Sequence, residues 1–242
     1  MPESWMNTLT KYRYPVNLSN YCGAHNFPNH FKQNIIGDRE TTIKFENYFR
    51  ENCLMLEPWF EVIFWKLNSQ PDRAQIHTCT VVKQLTEIRP VSPSYLLGTA
   101  QKFMESVTRK NFVTFRKLFF SSNVIATVAT YPAFLNPEIF PMVDTRVAKW
   151  VNSQYTIHNL NDPLGPQLIP SVFGISSKST VLTSADFDFY YYWILWTRHM
   201  AKKMNEISNN FHWRARDIEM AVFTAWGDQK GRKTPLLHLN PI

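Results

Sequence analysis

The stretch FFSSNVIATVATYPAFLNPEIFPMVDTRVAKWV, residues 119–151, decides the fold. It reads as the end of one helix, a tight turn at Ser121–Val124, and a second helix running through Leu135. A turn at Asn136-Pro137 follows, and a third helix opens at Asp144 or Thr145. The same helical period continues outward on both sides. Upstream, Phe45, Phe49, Leu54, Leu56, Trp59, Phe60, Ile63, Phe64 and Leu67 recur at helical spacing, with a break at Pro58. A helix is expected from about Asp72 to Thr86. Another opens at Pro93-Ser94, with Ser94 as its N-cap, and a short one covers Asn111–Phe119. Downstream, Tyr155 to Thr183 is rich in Pro, Gly, Asn and Ser and reads as loop. Helices then span about Ser184–Ser208 and Trp213–Trp226. Apolar/polar alternation is nowhere sustained and glycine totals only 7, so the expected class is all-α.

The bulk numbers fit this reading. A chain of 242 residues, 44% hydrophobic and 15% aromatic, can bury a sizeable core. A charged fraction of 19% and the lack of low-complexity tracts argue against general disorder. The net charge of +7 favours a polyanionic partner without naming one. The 3 cysteines, Cys22, Cys53 and Cys79, form no C-x-x-C pair and no spacing suited to zinc or an iron–sulfur cluster. They read as reduced thiols, and neither a metal nor a cofactor is expected. No apolar run approaches the roughly 20 residues of a membrane span, and the N-terminus lacks the apolar core of a signal peptide, so a cytoplasmic location is expected. Residues 1–40 are poorly periodic and read as an N-terminal arm, with residues 41–242 as the helical body.

Within 119–151, Val143-Asp144-Thr145-Arg146-Val147 follows a hairpin and a small-residue-rich helix. Further upstream stands Phe60-Glu61-Val62-Ile63-Phe64-Trp65-Lys66-Leu67-Asn68-Ser69-Gln70. In this order, these two segments resemble the helix-hairpin-helix superfamily of base-excision DNA glycosylases. The resemblance covers roughly residues 55–155. It implies a two-lobed helical bundle with a cleft between the lobes, acting as a monomer on double-stranded DNA with an extruded nucleotide. It makes Asp144 the catalytic carboxylate and Gln70 a residue of the DNA-facing cleft. The hairpin, Ser122-Asn123-Val124 with Ala126 and Thr127 behind it, would take a phosphate on its backbone N–H groups, and Arg146 and Lys149 would add contacts. Arg109, Lys110, Arg116 and Lys117 are further candidates for phosphate contact.

Those residue types suit the chemistry. Cleaving an N-glycosidic bond builds positive charge on the sugar, which a carboxylate can stabilise while it orients the attacking water. The base must first leave the stack for a pocket, for which Trp59, Phe60, Trp65 and Tyr191 are the aromatic candidates. This sequence departs from the family in having no hairpin glycine. It also has no lysine between Lys117 and Lys149, and the position of the family's lyase nucleophile falls near Ala126. Hydrolysis without strand cleavage is therefore implied. The aromatic abundance and the variant hairpin point to a bulky or hypermodified base, such as one in invading phage DNA. Each feature also has a plainer reading. On that reading Asp144 is only an N-cap, Gln70 is surface loop, Arg146 is a solvated charge, and the aromatic run from Phe187 to Trp196 is core. A nucleic-acid-binding module that kept the fold without the chemistry is the alternative function.

Overall fold

The structure is a computed structural model, and it describes residues 2–16, 36–68, 71–120, 125–157, 184–227, 236–237 and 239. Those residues are all-α. In chain order the helices are α1 (Pro2–Leu9), α2 (Arg39–Asn52), α3 (Glu57–Leu67), α4 (Pro71–Lys83), α5 (Pro93–Glu105) and α6 (Arg109–Phe119). They continue with α7 (Ile125–Val128), α8 (Thr130–Leu135), α9 (Thr145–Ile157), α10 (Ser184–Ile207) and α11 (Ala215–Trp226). Helix α4 runs straight into a π-helical turn at Gln84–Ile88. The chain divides into two compact units, Arg13–Leu135 and a second made of Met1–Tyr12 with Asn136–Ile242. Among the described residues, no helix is long and apolar enough to cross a membrane.

The unit Arg13–Leu135 is built around α3, which packs on α4, α8, α2 and α7. Apolar residues surround the α3 axis, and every side chain from Pro58 to Lys66 is buried. A helix apolar on all sides belongs inside, and this one is enclosed. Its tryptophans sit in a continuous ring cluster. Trp65 meets Phe134 edge-on at 5.0 Å, and Trp59 lies 5.1 Å from Tyr131, which stacks on Phe119 at 4.6 Å. Two of these rings use their polar ends: Trp59 Nε1 donates to the Cys53 carbonyl and the Tyr131 hydroxyl to the Trp59 carbonyl, both at 2.8 Å. Buried indoles and phenols need such partners.

The starts of α2, α5 and α6 are capped by short polar side chains. Asp38 accepts from Thr41 N and Thr108 from Asn111 N. Ser92, not Ser94, caps α5, accepting from Tyr95 N at 3.2 Å. Pro93 explains the correction. Its fixed φ and missing N–H suit the first helical position, which moves the cap to the residue before it. Just ahead of α2, Gly37 has φ +76, and a Cβ there would meet the Tyr14 carbonyl. Only glycine satisfies both demands.

The second unit is organised by α11, which contacts α10, α9 and α1. Residues Ala215 to Phe223 are all buried, charged ones included. Arg214 and Asp217 form a capping box in which the guanidinium Nη2 donates to Oδ1 at 2.9 Å. Arg216 pairs with Glu219 and also reaches the Tyr12 hydroxyl. The capping box also sets where the helix begins, at Ala215, two residues after the expected Trp213. Helix α1 adds Trp5, Leu9 and the following Tyr12 to this core, with Trp5 against Trp196 at 6.5 Å and Tyr12 against Phe223 at 5.9 Å. The segment from Tyr155, expected as loop, instead carries α9 on to Ile157, and residues 158–183 lie outside the described part.

Candidate functional site

Asp144 stands at the end of a nine-residue connection, 136–144, that carries no regular structure but is fixed at many points. Its first half is a turn in which the Asn136 carbonyl accepts from Ile139 N and Phe140 N. Helix α11 then holds it from one side. Ala215 N donates to the Glu138 carbonyl at 3.2 Å and Arg216 N to the Pro137 carbonyl at 3.0 Å. These first-turn N–H groups have no acceptor inside their own helix, so the connection completes them. From another side α10 contributes Trp193 Nε1 to the Met142 carbonyl at 2.8 Å, and the Tyr190 hydroxyl to the Pro141 carbonyl at 3.4 Å.

At the end of this strap, Val143 and Val147 are fully buried while Asp144 between them is half-buried. Asp144 Oδ1 accepts from Arg146 N at 2.8 Å and Val147 N at 2.9 Å, and its carbonyl accepts from Ala148 N at 3.0 Å. That is the full geometry of an N-cap. Oδ2 has no hydrogen-bond partner among the described residues. The carboxylate is thus held by one oxygen, at the positive end of α9, with the other left to meet a ligand.

Arg146 does not point freely into solvent. Its guanidinium lies 4.3 Å from the centroid of the Phe223 ring, a cation–π contact that ties α9 to α11. Lys149, one turn on, is exposed. Asp144, Arg146 and Lys149 therefore share the first turns of one helix. Gln70, Ser122, Asn123 and Val124 lie outside the described residues. Of the residues expected to follow the hairpin, Ala126 is half-buried and Thr127 is buried, both on α7. Among the basic residues before the hairpin, Arg109, Lys110 and Lys117 are exposed, whereas Arg116 is buried. Burial pulls the Arg116 guanidinium below its ordinary value.

The expected base-pocket residues are divided between the two units, with Trp59, Phe60 and Trp65 in Arg13–Leu135 and Tyr191 in the other. Trp59 and Trp65 are 0% exposed inside the ring cluster around α3, and Phe60, on the same helix, is 4% exposed. A ring with both faces packed has none to offer an extruded base. Tyr191 is on α10, half-buried, and its ring meets Tyr192 at 5.6 Å.

Glu61 is a further buried group, singled out by nothing but its place in the motif. It is 0% exposed on α3, and neither carboxyl oxygen has a well-formed hydrogen bond among the described residues. Burial pushes its carboxyl up to about 8; the Tyr48 hydroxyl opposes this and the Glu57 carboxylate adds to it. Such a group is held protonated at neutral pH. The signal was present in the sequence, since a helix apolar on every side must bury whatever lone acid it contains. Comparison with known protein families, curated proteins and solved structures gives no match.

Proposed function

We propose that the protein is a monofunctional DNA glycosylase that hydrolyses the N-glycosidic bond of a modified base, with Asp144 as its catalytic carboxylate. The observation that carries this reading is the mounting of Asp144. One oxygen is fixed by two backbone N–H groups, the other has no partner among the described residues, and the strap behind it is tied to two helices. Preorganised charge of this kind is most effective where positive charge develops during reaction.

In the reaction, water attacks the anomeric carbon as the bond to the base nitrogen breaks. The electron pair leaves with the base as an anion, which takes up a proton from solvent. Asp144 Oδ2 faces the cationic sugar and accepts the proton that the water releases. No lysine lies between Lys117 and Lys149 to form a Schiff base, so the product is an abasic site in an intact strand. Action in the cytoplasm on bulky or hypermodified bases, as in defence against phage DNA, belongs to the same proposal.

The test is incubation with duplexes that carry a panel of modified bases, followed by assay for abasic sites. Release by the wild type and loss of release in Asp144→Asn support the reading. Equal release by both proteins, or no release from any duplex, defeats it. The second reading, a nucleic-acid-binding module without chemistry, is favoured by one observation: a purely structural N-cap has the same two hydrogen bonds. It predicts salt-sensitive binding without base release.

A further inference from the structure

A second concave site lies in the unit Met1–Tyr12 with Asn136–Ile242, at the other end of the strap that carries Asp144. It has a volume of about 430 Å³, towards the small end of ligand sites, which run from roughly 300 to 1,000 Å³. Arg198 and Lys202 face it from successive turns of α10, Glu138 and His212 form the opposite wall, and Ala201 and Trp213 line it. The frame is rigid. Glu138 is held by its carbonyl to Ala215 N, and Trp213 exchanges two hydrogen bonds with Asn205, at 2.7 Å and 2.9 Å.

The charges are arranged in an unusual way. Glu138 could neutralise the cations across the site, but its Oε2 is engaged by His212 Nε2 at 2.7 Å. Arg198 and Lys202 are both exposed, and neither has an ion-pair partner among the described residues. Glu206, one turn beyond Lys202, also lines the site but pairs with neither. Two cations four residues apart, facing one concavity with apolar surface beside them, match a doubly charged oxyanion attached to a larger body. An arginine fork and a lysine point charge are the side chains that bind phosphate most effectively.

We propose that this site binds a phosphate group, with Arg198 and Lys202 as its ligands and His212 held aside by Glu138. Its sources are the backbone of a DNA strand or a free nucleotide. The strand source rests on the glycosylase reading, because Glu138 and Asp144 belong to one strap and a phosphate seated at one end would register the strand against the other. The experiment compares wild type, R198Q/K202Q and the charge-preserving R198K/K202R. Each is tested with a 20-base-pair duplex at several salt concentrations, and with adenosine monophosphate by two-dimensional NMR at Ala201 and Trp213.

If the strand is the source, R198Q/K202Q binds the duplex at least tenfold more weakly. Its plot of log affinity against log salt is shallower by about one to two, and R198K/K202R restores most of the binding. If a free nucleotide is the source, adenosine monophosphate shifts the two signals saturably in wild type but not in R198Q/K202Q, and duplex binding is unchanged. Indifference of both measurements to R198Q/K202Q overturns the proposal. Both side chains are exposed, so the substitutions leave the core intact, and a misfolded double variant is replaced by the single substitutions. The two readings fail separately. Base release with full duplex binding by R198Q/K202Q and no nucleotide shift removes the phosphate site alone. Lost binding without any base release removes the glycosylase alone.

Discussion

Asp144 combines two roles that substitutions can separate. Asparagine caps a helix about as well as aspartate, so Asp144→Asn should change stability by less than about 1 kcal/mol, while alanine costs about 1 kcal/mol or somewhat more. Base release should instead fall at least a hundredfold in both variants, because the charge is lost in each. Thermal unfolding beside an abasic-site assay checks this, and parallel loss of stability and activity would reduce Asp144 to a cap. Glu61 gives a pH signature. Its carboxyl is raised to about 8 in the folded chain from an ordinary value of 4.5, so between those values the folded form keeps a proton that the unfolded form releases. That contribution to stability is full below about 4.5 and is lost as pH rises towards 8. Glu61→Gln removes this dependence. Denaturant midpoints at pH 5 and pH 8.5 should show wild type losing stability relative to the glutamine variant, and a constant difference would refute the burial. Neither behaviour of these residues was fully legible beforehand. The sequence marks Asp144 as a helix start, but the two helices that pin its strap are contributed from more than 45 residues away.

Helices were the part of the fold that could be read most directly, because their signal is local. The cap of α5 shows how local it is, since Pro93 alone decides between Ser92 and Ser94. Aromatic residues were harder to place. Trp59 and Trp65 lie on a helix apolar on all sides, and that pattern says only that the rings are enclosed, not whether a ligand or a neighbouring helix encloses them. Pairings such as His212 with Glu138 were not legible at all, since nothing in either segment specifies the other. At this scale α11 invites a test. Its buried charges survive because they are paired, so removing one partner leaves the other costly. Glu219→Ala, which strips the carboxylate from Arg216, should destabilise the chain by roughly 3–5 kcal/mol. An exposed pair such as Lys44 with Glu40 should lose far less to the same treatment, because solvent screens it. Denaturant titrations of the two variants check the contrast, and similar losses would contradict it.

Across the whole chain, the division into units was hidden because it does not follow sequence order. One unit is a continuous segment, Arg13–Leu135, while the other joins Met1–Tyr12 to Asn136–Ile242. A poorly periodic beginning looks like an arm until the buried apolar side chains of residues 1–12, Trp5, Leu9 and Tyr12, are seen in the core of the unit that α11 organises. Deleting residues 1–12 should therefore loosen one unit and spare the other. Each of the three lost side chains contributes on the order of 1.5–3 kcal/mol of burial. Hydrogen exchange should show lost protection in α10 and α11 with α2 and α3 unchanged, and uniform protection would contradict the arrangement. The same arrangement sets a schedule during synthesis. Helix α1 leaves the ribosome some 200 residues ahead of α11, its principal contact, a wait of about 10–40 s at typical elongation rates. Through that interval Trp5 and Leu9 lack α11, the helix that α1 packs against. Helix α1 is thus made long before it can find its place, and the nascent chain carries an apolar patch that chaperones can hold until α11 arrives.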